Sequence, residues 1–189
     1  MKLHFEENLS YQLAAIEAVC DLFHGQESCR TEFTVTRAPP SPQMGLPLEP
    51  GVEESELGIG NRLALLPEAL VENLAAVQLR HALPPTDAAL PRDFTVEMET
   101  GTGKTYVYLR TVFELHKRYG FTKFVIVVPS VAIKEGVYKS LQITAEHFRA
   151  LYANTAYEYF VYDSAKLGQV RNFASSPNIQ GRFQYPRAT

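Results

Sequence analysis

Met98-Glu99-Thr100-Gly101-Thr102-Gly103-Lys104-Thr105 is the stretch on which the reading of the fold turns. A short apolar run, Phe94-Thr95-Val96, precedes it, and a segment with helical periodicity follows. Strand, glycine-rich turn and helix in that order are what a phosphate-binding loop requires. Gly101 and Gly103 lack a Cβ, so the backbone can turn tightly and bring its N–H groups close to phosphate oxygens. The positive end of the following helix adds to that field. The candidate phosphate ligands are Thr100, Gly101, Thr102, Gly103, Lys104 and Thr105. Lys104 and Thr105 are also the candidate catalytic pair, with Lys104 reaching the β- and γ-phosphates and the Thr105 hydroxyl holding Mg²⁺. The full loop pattern has a glycine where Met98 stands, so the match is to its Gly-Lys-Thr end. A chance Gly-Thr-Gly turn with an exposed lysine is the plain alternative.

Downstream, Thr105 to Tyr119 reads as a helix with Val107, Tyr108, Val112 and Leu115 inward, stopped by Gly120. Lys123 to Val128 is a continuous β-branched run, the mark of a strand buried on both faces of a parallel sheet. Ser130 is a natural cap for a helix from Val131 to Tyr152, and Tyr159 to Tyr162 is a further short strand. Strands alternating with helices give an α/β fold with a parallel sheet. Pro129, Ser130 and Lys134 stand at the carboxyl end of a strand, the edge where such sheets bind ligands. They are candidate contacts to a nucleic-acid phosphate; the alternative is a capped helix with a surface lysine.

Upstream, Leu9, Leu13, Ile16, Val19 and Leu22 recur at helical spacing, so a helix capped by Asn8 or Ser10 is expected to run to Phe23. Gln12 lies in its first turns. A glutamine amide pairs with N6 and N7 of adenine, which makes Gln12 a candidate adenine reader in company with the phosphate loop. Residues 26–60 change character: five of the twelve prolines fall between positions 39 and 50, with glycines and acids after them. Apart from strand-like alternation at Thr31 to Val35, the segment reads as a mobile insertion without chemistry. A second helical stretch follows from Asn61 to Leu83, with Leu65, Leu66, Leu70, Leu74 and Val77 on one side. The domain reading is therefore 1–25, an adenine-motif helix; 26–60, the insertion; and 61–189, the phosphate-loop domain.

The chain has 189 residues and a net charge of −3, so it is not a basic nucleic-acid arm as a whole. Seven basic residues between Lys104 and Lys139 face only Glu114 and Glu135 in that stretch. They would either meet a phosphate backbone or form solvated helix faces. Cys20 and Cys29 make no zinc spacing or disulfide framework. No signal pattern or membrane-length apolar run is present, so a cytoplasmic chain without a membrane partner is expected.

Phe94 to Arg110 resembles the first helicase motif of superfamily 2, and in detail that of the Res subunit of Type III restriction–modification enzymes. Phe124 to Val137 resembles motif Ia of that subunit, Leu9 to Val19 its adenine-recognition motif, and Phe160 to Phe173 continues the likeness. The resemblance implies a RecA-like domain that binds and hydrolyses ATP with Mg²⁺. In the family this drives movement along double-stranded DNA, in partnership with a Mod methyltransferase subunit, before endonucleolytic cleavage. It implies that Gln12 reads adenine, that Thr102 to Thr105 hold phosphates and Mg²⁺, and that Pro129 to Lys134 line the DNA path.

Two departures shape the expectation. The chain contains no Asp-Glu pair, so the Walker B carboxylates are missing. After Ile179, where a buried strand is expected, the sequence turns polar: Gln180-Gly-Arg-Phe-Gln-Tyr-Pro-Arg-Ala-Thr189. The chain therefore reads as an N-terminal piece of a helicase domain, cut before the Walker B strand, with a shifted reading frame near its end. A piece of another superfamily 2 motor, or a nucleotide-binding remnant without turnover, are the alternatives.

Overall fold

The computed structural model describes residues 5–36, 55–86, 93–163 and 166–184. Helix α1 (Ser10–Cys20) comes first and tightens into one 3₁₀ turn (Asp21–Phe23). Leu9, not Asn8 or Ser10, is its N-cap, and no side chain caps it. Ser10 is already inside the helix, and a capping hydroxyl must stand one residue earlier, outside the first turn. The helix buries Gln12, Ala15, Ile16 and Cys20 on one side.

The segment read as an unstructured insertion contains two strands. β1 (Arg30–Thr36) and β2 (Ser55–Asn61) form an antiparallel ladder, with Phe33 opposite Gly58. The expected alternation at Thr31 to Val35 is β1; β2 is additional. Gly58 is what lets the Phe33 ring lie across the ladder, since a Cβ there would come within 2.4 Å of the ring. Residues 37–54 of the expected insertion lie outside the described residues. The Asn61 side chain docks this ladder on the main sheet: its Oδ1 accepts from the Thr122 and Lys123 amides and its Nδ2 donates to the Lys123 carbonyl.

Helix α2 (Pro67–Arg80) starts later than expected, with Pro67 in the first helical turn, where its missing N–H costs nothing. Leu66 is left 69% exposed, so the apolar stripe begins at Leu70. Helix α2 buries no residue fully. Polar links hold it to the end of α1: Asn73 donates to the Leu22 and His24 carbonyls, and Arg80 meets Asp21 at 2.7 Å.

The main unit is α3 (Lys104–Tyr119), β3 (Lys123–Val127), α4 (Val131–Leu151), β4 (Tyr157–Val161), α5 (Leu167–Ser175) and β5 (Ile179–Gln184). The three strands form a parallel sheet in the order β3-β5-β4. This is the expected α/β fold, a parallel sheet flanked by helices. Leu109 and Phe113 of α3 and Val137, Leu141 and Phe148 of α4 pack on Ile179 and Phe183 of β5 to form the principal core. The other side of α3 packs on α1, where Val107, Leu115 and Tyr119 meet Ala15, Ile16 and Cys20.

Three strand expectations are corrected. The polar stretch after Ile179 is a strand, and it is the central one. Ile179, Gly181 and Phe183 alternate toward the core face, so no continuous apolar run is needed. Gln180, on the opposite face, is 1% exposed and donates to Glu158 Oε2 and Ser176 Oγ, both at 3.0 Å. Arg182, on that same face, lays its guanidinium 3.8 Å over the Tyr162 ring. Second, β3 is not buried on both faces: Val125 and Val127 are 53% and 57% exposed, while Phe124 and Ile126 pack on the core. Third, Phe94-Thr95-Val96 belongs to no strand. Among the described residues nothing pairs with it, and an extended segment without a ladder leaves its apolar side chains in solvent, with Phe94 39% and Val96 45% exposed.

Candidate functional site

The phosphate loop runs into α3 through two glycines in the left-handed region, Gly101 and Gly103, both at φ 85°. Only glycine adopts that conformation without strain. Gly103 is the N-cap of α3 and supplies no side-chain cap, so the first amides of the helix stay open for an anion. The loop closes on itself through one acceptor: the Glu99 carbonyl takes the Thr102 hydroxyl at 2.7 Å and the Lys104 ammonium at 3.0 Å. Lys104 is exposed and Thr105 half-buried. Met98, at the position where the full pattern has a glycine, is half-buried against the α1–α3 core. Its side chain thus anchors the entry of the loop.

Gln12 comes to this loop from a distance of ninety residues in sequence. It is 7% exposed, and its Nε2 donates to the Thr102 carbonyl at 2.9 Å. The approach depends on Gly103, where a Cβ would stand 2.7 Å from Gln12 Nε2. The structure thus brings together two motifs that lie ninety residues apart in the sequence.

Pro129, Ser130 and Lys134 stand at the carboxyl end of β3, as expected. Ser130 caps α4, accepting from the Ile133 amide at 3.3 Å. Pro129 and Ser130 are exposed, and Lys134 is in contact with Glu135 at 2.9 Å.

The basic residues from Lys104 to Lys139 do not form one stripe. Lys123 donates to the Ser176 carbonyl and lies over the Phe173 ring. Arg110 is buried in α3, where it donates to the Glu7 carbonyl and to the Tyr152 hydroxyl. Tyr152 in turn donates to Glu114 at 2.8 Å. Burial, and secondly the Glu114 bond, push the Tyr152 hydroxyl far above its ordinary range. Arg118 grips Glu17 with both terminal nitrogens, at 2.8 and 2.6 Å, and also reaches Glu114 and Asp21. Its hydrogen bond holds the Glu17 carboxyl below the usual value of 4.5. These partners were missed by reading the chain locally. The one available signal was that two of the basic side chains, eight residues apart, lie on a helix with an apolar face. Among the described residues no three His, Cys, Asp or Glu side chains gather in a metal-holding group. No helix of the described residues is long and apolar enough to cross a membrane.

The family model of the Type III restriction enzyme, res subunit, matches residues 7–169. The Res subunit of the Type III restriction-modification enzyme EcoPI, from Escherichia phage P1, is 32% identical over 194 aligned positions, covering 95% of this chain. The EcoP15I Res subunit of Escherichia coli is 31% identical over 189 positions and 94% of the chain. The StyLTI Res subunit of Salmonella typhimurium is 54% identical over a shorter stretch of 65 residues, 33% of the chain and 7% of that relative. The chain spans 18% of the length of the first two relatives. The match takes in α1, the phosphate loop, α3, β3, α4 and β4, so the fold and the joined motifs describe the same region as the family. The chain belongs to the family of Type III restriction enzyme Res subunits.

Proposed function

We propose that this chain binds ATP with Mg²⁺ at the loop Thr100 to Thr105, with Gln12 selecting adenine. The observation that carries the reading is the Gln12–Thr102 hydrogen bond, which sets a purine-reading amide on the loop that cradles phosphate. One Nε2 hydrogen is engaged by the Thr102 carbonyl, and this fixes which way the amide faces. The second hydrogen and Oε1 then match N7 and N6 of adenine. The donor set fits the nucleotide. Left-handed Gly103 leaves the first amides of α3 uncapped, Lys104 carries a positive charge free to leave one carbonyl for a phosphate, and the Thr105 hydroxyl is a hard oxygen suited to Mg²⁺. When bound, the ion supplies charge neutralisation for phosphoryl transfer. The loop contributes positioning, which is most of what that reaction asks of a protein.

In a chain of the relatives' length, ATP hydrolysis would drive movement on double-stranded DNA beside a Mod methyltransferase subunit and end in endonucleolytic cleavage. Pro129, Ser130 and Lys134 are the proposed DNA contacts. A second reading, nucleotide binding without turnover by this chain alone, is favoured by the lack of an Asp-Glu pair in its sequence.

The test is ATP affinity and turnover of the purified chain with Mg²⁺, with and without duplex DNA, beside Lys104→Ala. The expected result is ATP binding weakened on the order of a hundred-fold by the substitution, the effect of removing a charged hydrogen bond to phosphate. ATP affinity equal in the two chains would overturn the site. Lys104-dependent turnover would remove the second reading.

A further inference from the structure

We propose that Arg118 is a positioning residue for base selectivity, acting through α1 on Gln12. The inference rests on the reading of Gln12 as the adenine contact. Arg118 lies fourteen residues beyond Lys104 on α3, about 21 Å along the helix axis, too far to touch a nucleotide in the loop. What it does touch is the far end of α1. Its two terminal nitrogens hold Glu17 in a fork-like grip at 2.8 and 2.6 Å, and Asp21 lies 3.8 Å away. A guanidinium meeting a carboxylate in this way fixes direction as well as distance.

Helix α1 is tied to α3 at three levels. Before its first turn, Arg110 takes the Glu7 carbonyl. Near its end, Arg118 takes Glu17, and the Tyr119 hydroxyl donates to the Cys20 carbonyl at 2.9 Å. Gln12 lies between these ties, and its reach to the loop is one hydrogen bond of 2.9 Å over a glycine with no room for a Cβ. The apolar contacts of Ala15, Ile16 and Cys20 with α3 hold the helices together side by side, and the charged grip at their far end adds a directional tie to that packing. The charged grip at Glu17 is the two-point tie among the three that set the axial register. The phosphate-binding helix therefore sets, through its own far end, where the base-reading amide stands.

The experiment measures affinities for ATP, GTP and tripolyphosphate in the wild-type chain, Arg118→Ala, Arg118→Lys, Glu17→Gln and Gln12→Ala. The wild type is expected to prefer ATP, and Gln12→Ala to lose that preference. Arg118→Ala and Glu17→Gln should lower the ATP-to-GTP ratio about five-fold or more while tripolyphosphate binds as before. Arg118→Lys should restore part of the ratio, and Arg118→Ala added to Gln12→Ala should lower it no further. Should Arg118→Ala fail to melt cooperatively, Glu17→Gln, which keeps side-chain shape, carries the test alone. An undiminished ratio in Glu17→Gln and Arg118→Ala, with Gln12→Ala selectively impaired, overturns the inference and leaves the function standing. Equal ratios in wild type and Gln12→Ala overturn the inference and the adenine reading together. Lys104-dependent binding of tripolyphosphate in that case would still keep the phosphate loop.

Discussion

Helices α3 and α4 both begin where a ligand-binding edge is expected, yet their first turns are built differently. Helix α3 opens on Gly103 in the left-handed region, with no side chain hydrogen-bonded to its first amides as a cap. Helix α4 opens on Ser130 in extended conformation, and the serine oxygen takes the Ile133 amide. The lysines differ in the same sense. Lys104 rests on a neutral backbone carbonyl, whereas Lys134 faces the Glu135 carboxylate. One helix end keeps its donors for an incoming anion; the other is satisfied as a folded element. A helix start keeps its amide donors open to an anion where the cap is withheld, and glycine is how the chain withholds it at α3.

The largest effect that would break this contrast lies at the two loop glycines. Both have φ 85°, so alanine at either should cost about 1–2 kcal/mol of stability through backbone strain. Their surroundings differ. A Cβ at position 101 meets nothing within 4 Å, whereas at 103 it stands 2.7 Å from Gln12 Nε2. Gly103→Ala is therefore expected to weaken ATP binding on the order of ten-fold more than Gly101→Ala, by driving the amide off the loop. Melting curves and ATP titrations of the two variants check this. Equal ATP affinities would mean that the Gln12 contact does not shape the site.

The same contrast shows what could be read from the sequence. The left-handed glycines, the Val107 and Leu115 side of α3 and the Ser130 cap were legible, because each rests on residues within a few positions of one another. Leu109 and Phe113, which carry α3 into the principal core where Tyr108 and Val112 were expected, were not. The pairing of Gln12 with the loop was expected from the adenine-reading chemistry of an amide and from the resemblance, and the two are in contact. What escaped reading was set by partners far along the chain. Arg110 and Arg118 look like surface charge until Glu7 and Glu17, about a hundred residues away, are brought beside them. Strand β5 was hidden because polar Gln180 is buried on the α5 face by partners on β4 and at the end of α5. The Phe94–Val96 run misled in the opposite direction. Its residues favour a strand, but propensity is realised only when a neighbouring strand completes the ladder.

A smaller effect sharpens the comparison from the α4 side. Ser130→Ala removes the cap and should lower stability by about 1 kcal/mol. If the satisfied end of α4 is structural with respect to nucleotide, ATP affinity should not move. A loss of ATP affinity in a chain that still folds would join the two helix ends into one site and cancel the distinction drawn between them.

The smallest effect is a pH dependence, and it separates the charged tie of α1 from the neutral cap of α4. The Arg118 hydrogen bond depresses the Glu17 carboxyl below its unfolded value of 4.5, against an opposing push from burial. The folded chain thus binds that proton less readily than the unfolded chain. The contribution is full above about pH 4.5 and is lost as pH falls through the depressed value. The Glu17 side chain is 42% exposed, so solvent screens the pair and the melting temperature should respond weakly. Wild type should nevertheless lose slightly more stability on acidification than Glu17→Gln, while the Ser130→Ala deficit should be the same at both ends of the range. Matched acid limbs for wild type and Glu17→Gln would show that the grip adds nothing to the fold. Such a grip could not hold α1 in register, and Gln12 would owe its place to the Glu7 and Cys20 hydrogen bonds and to apolar packing with α3.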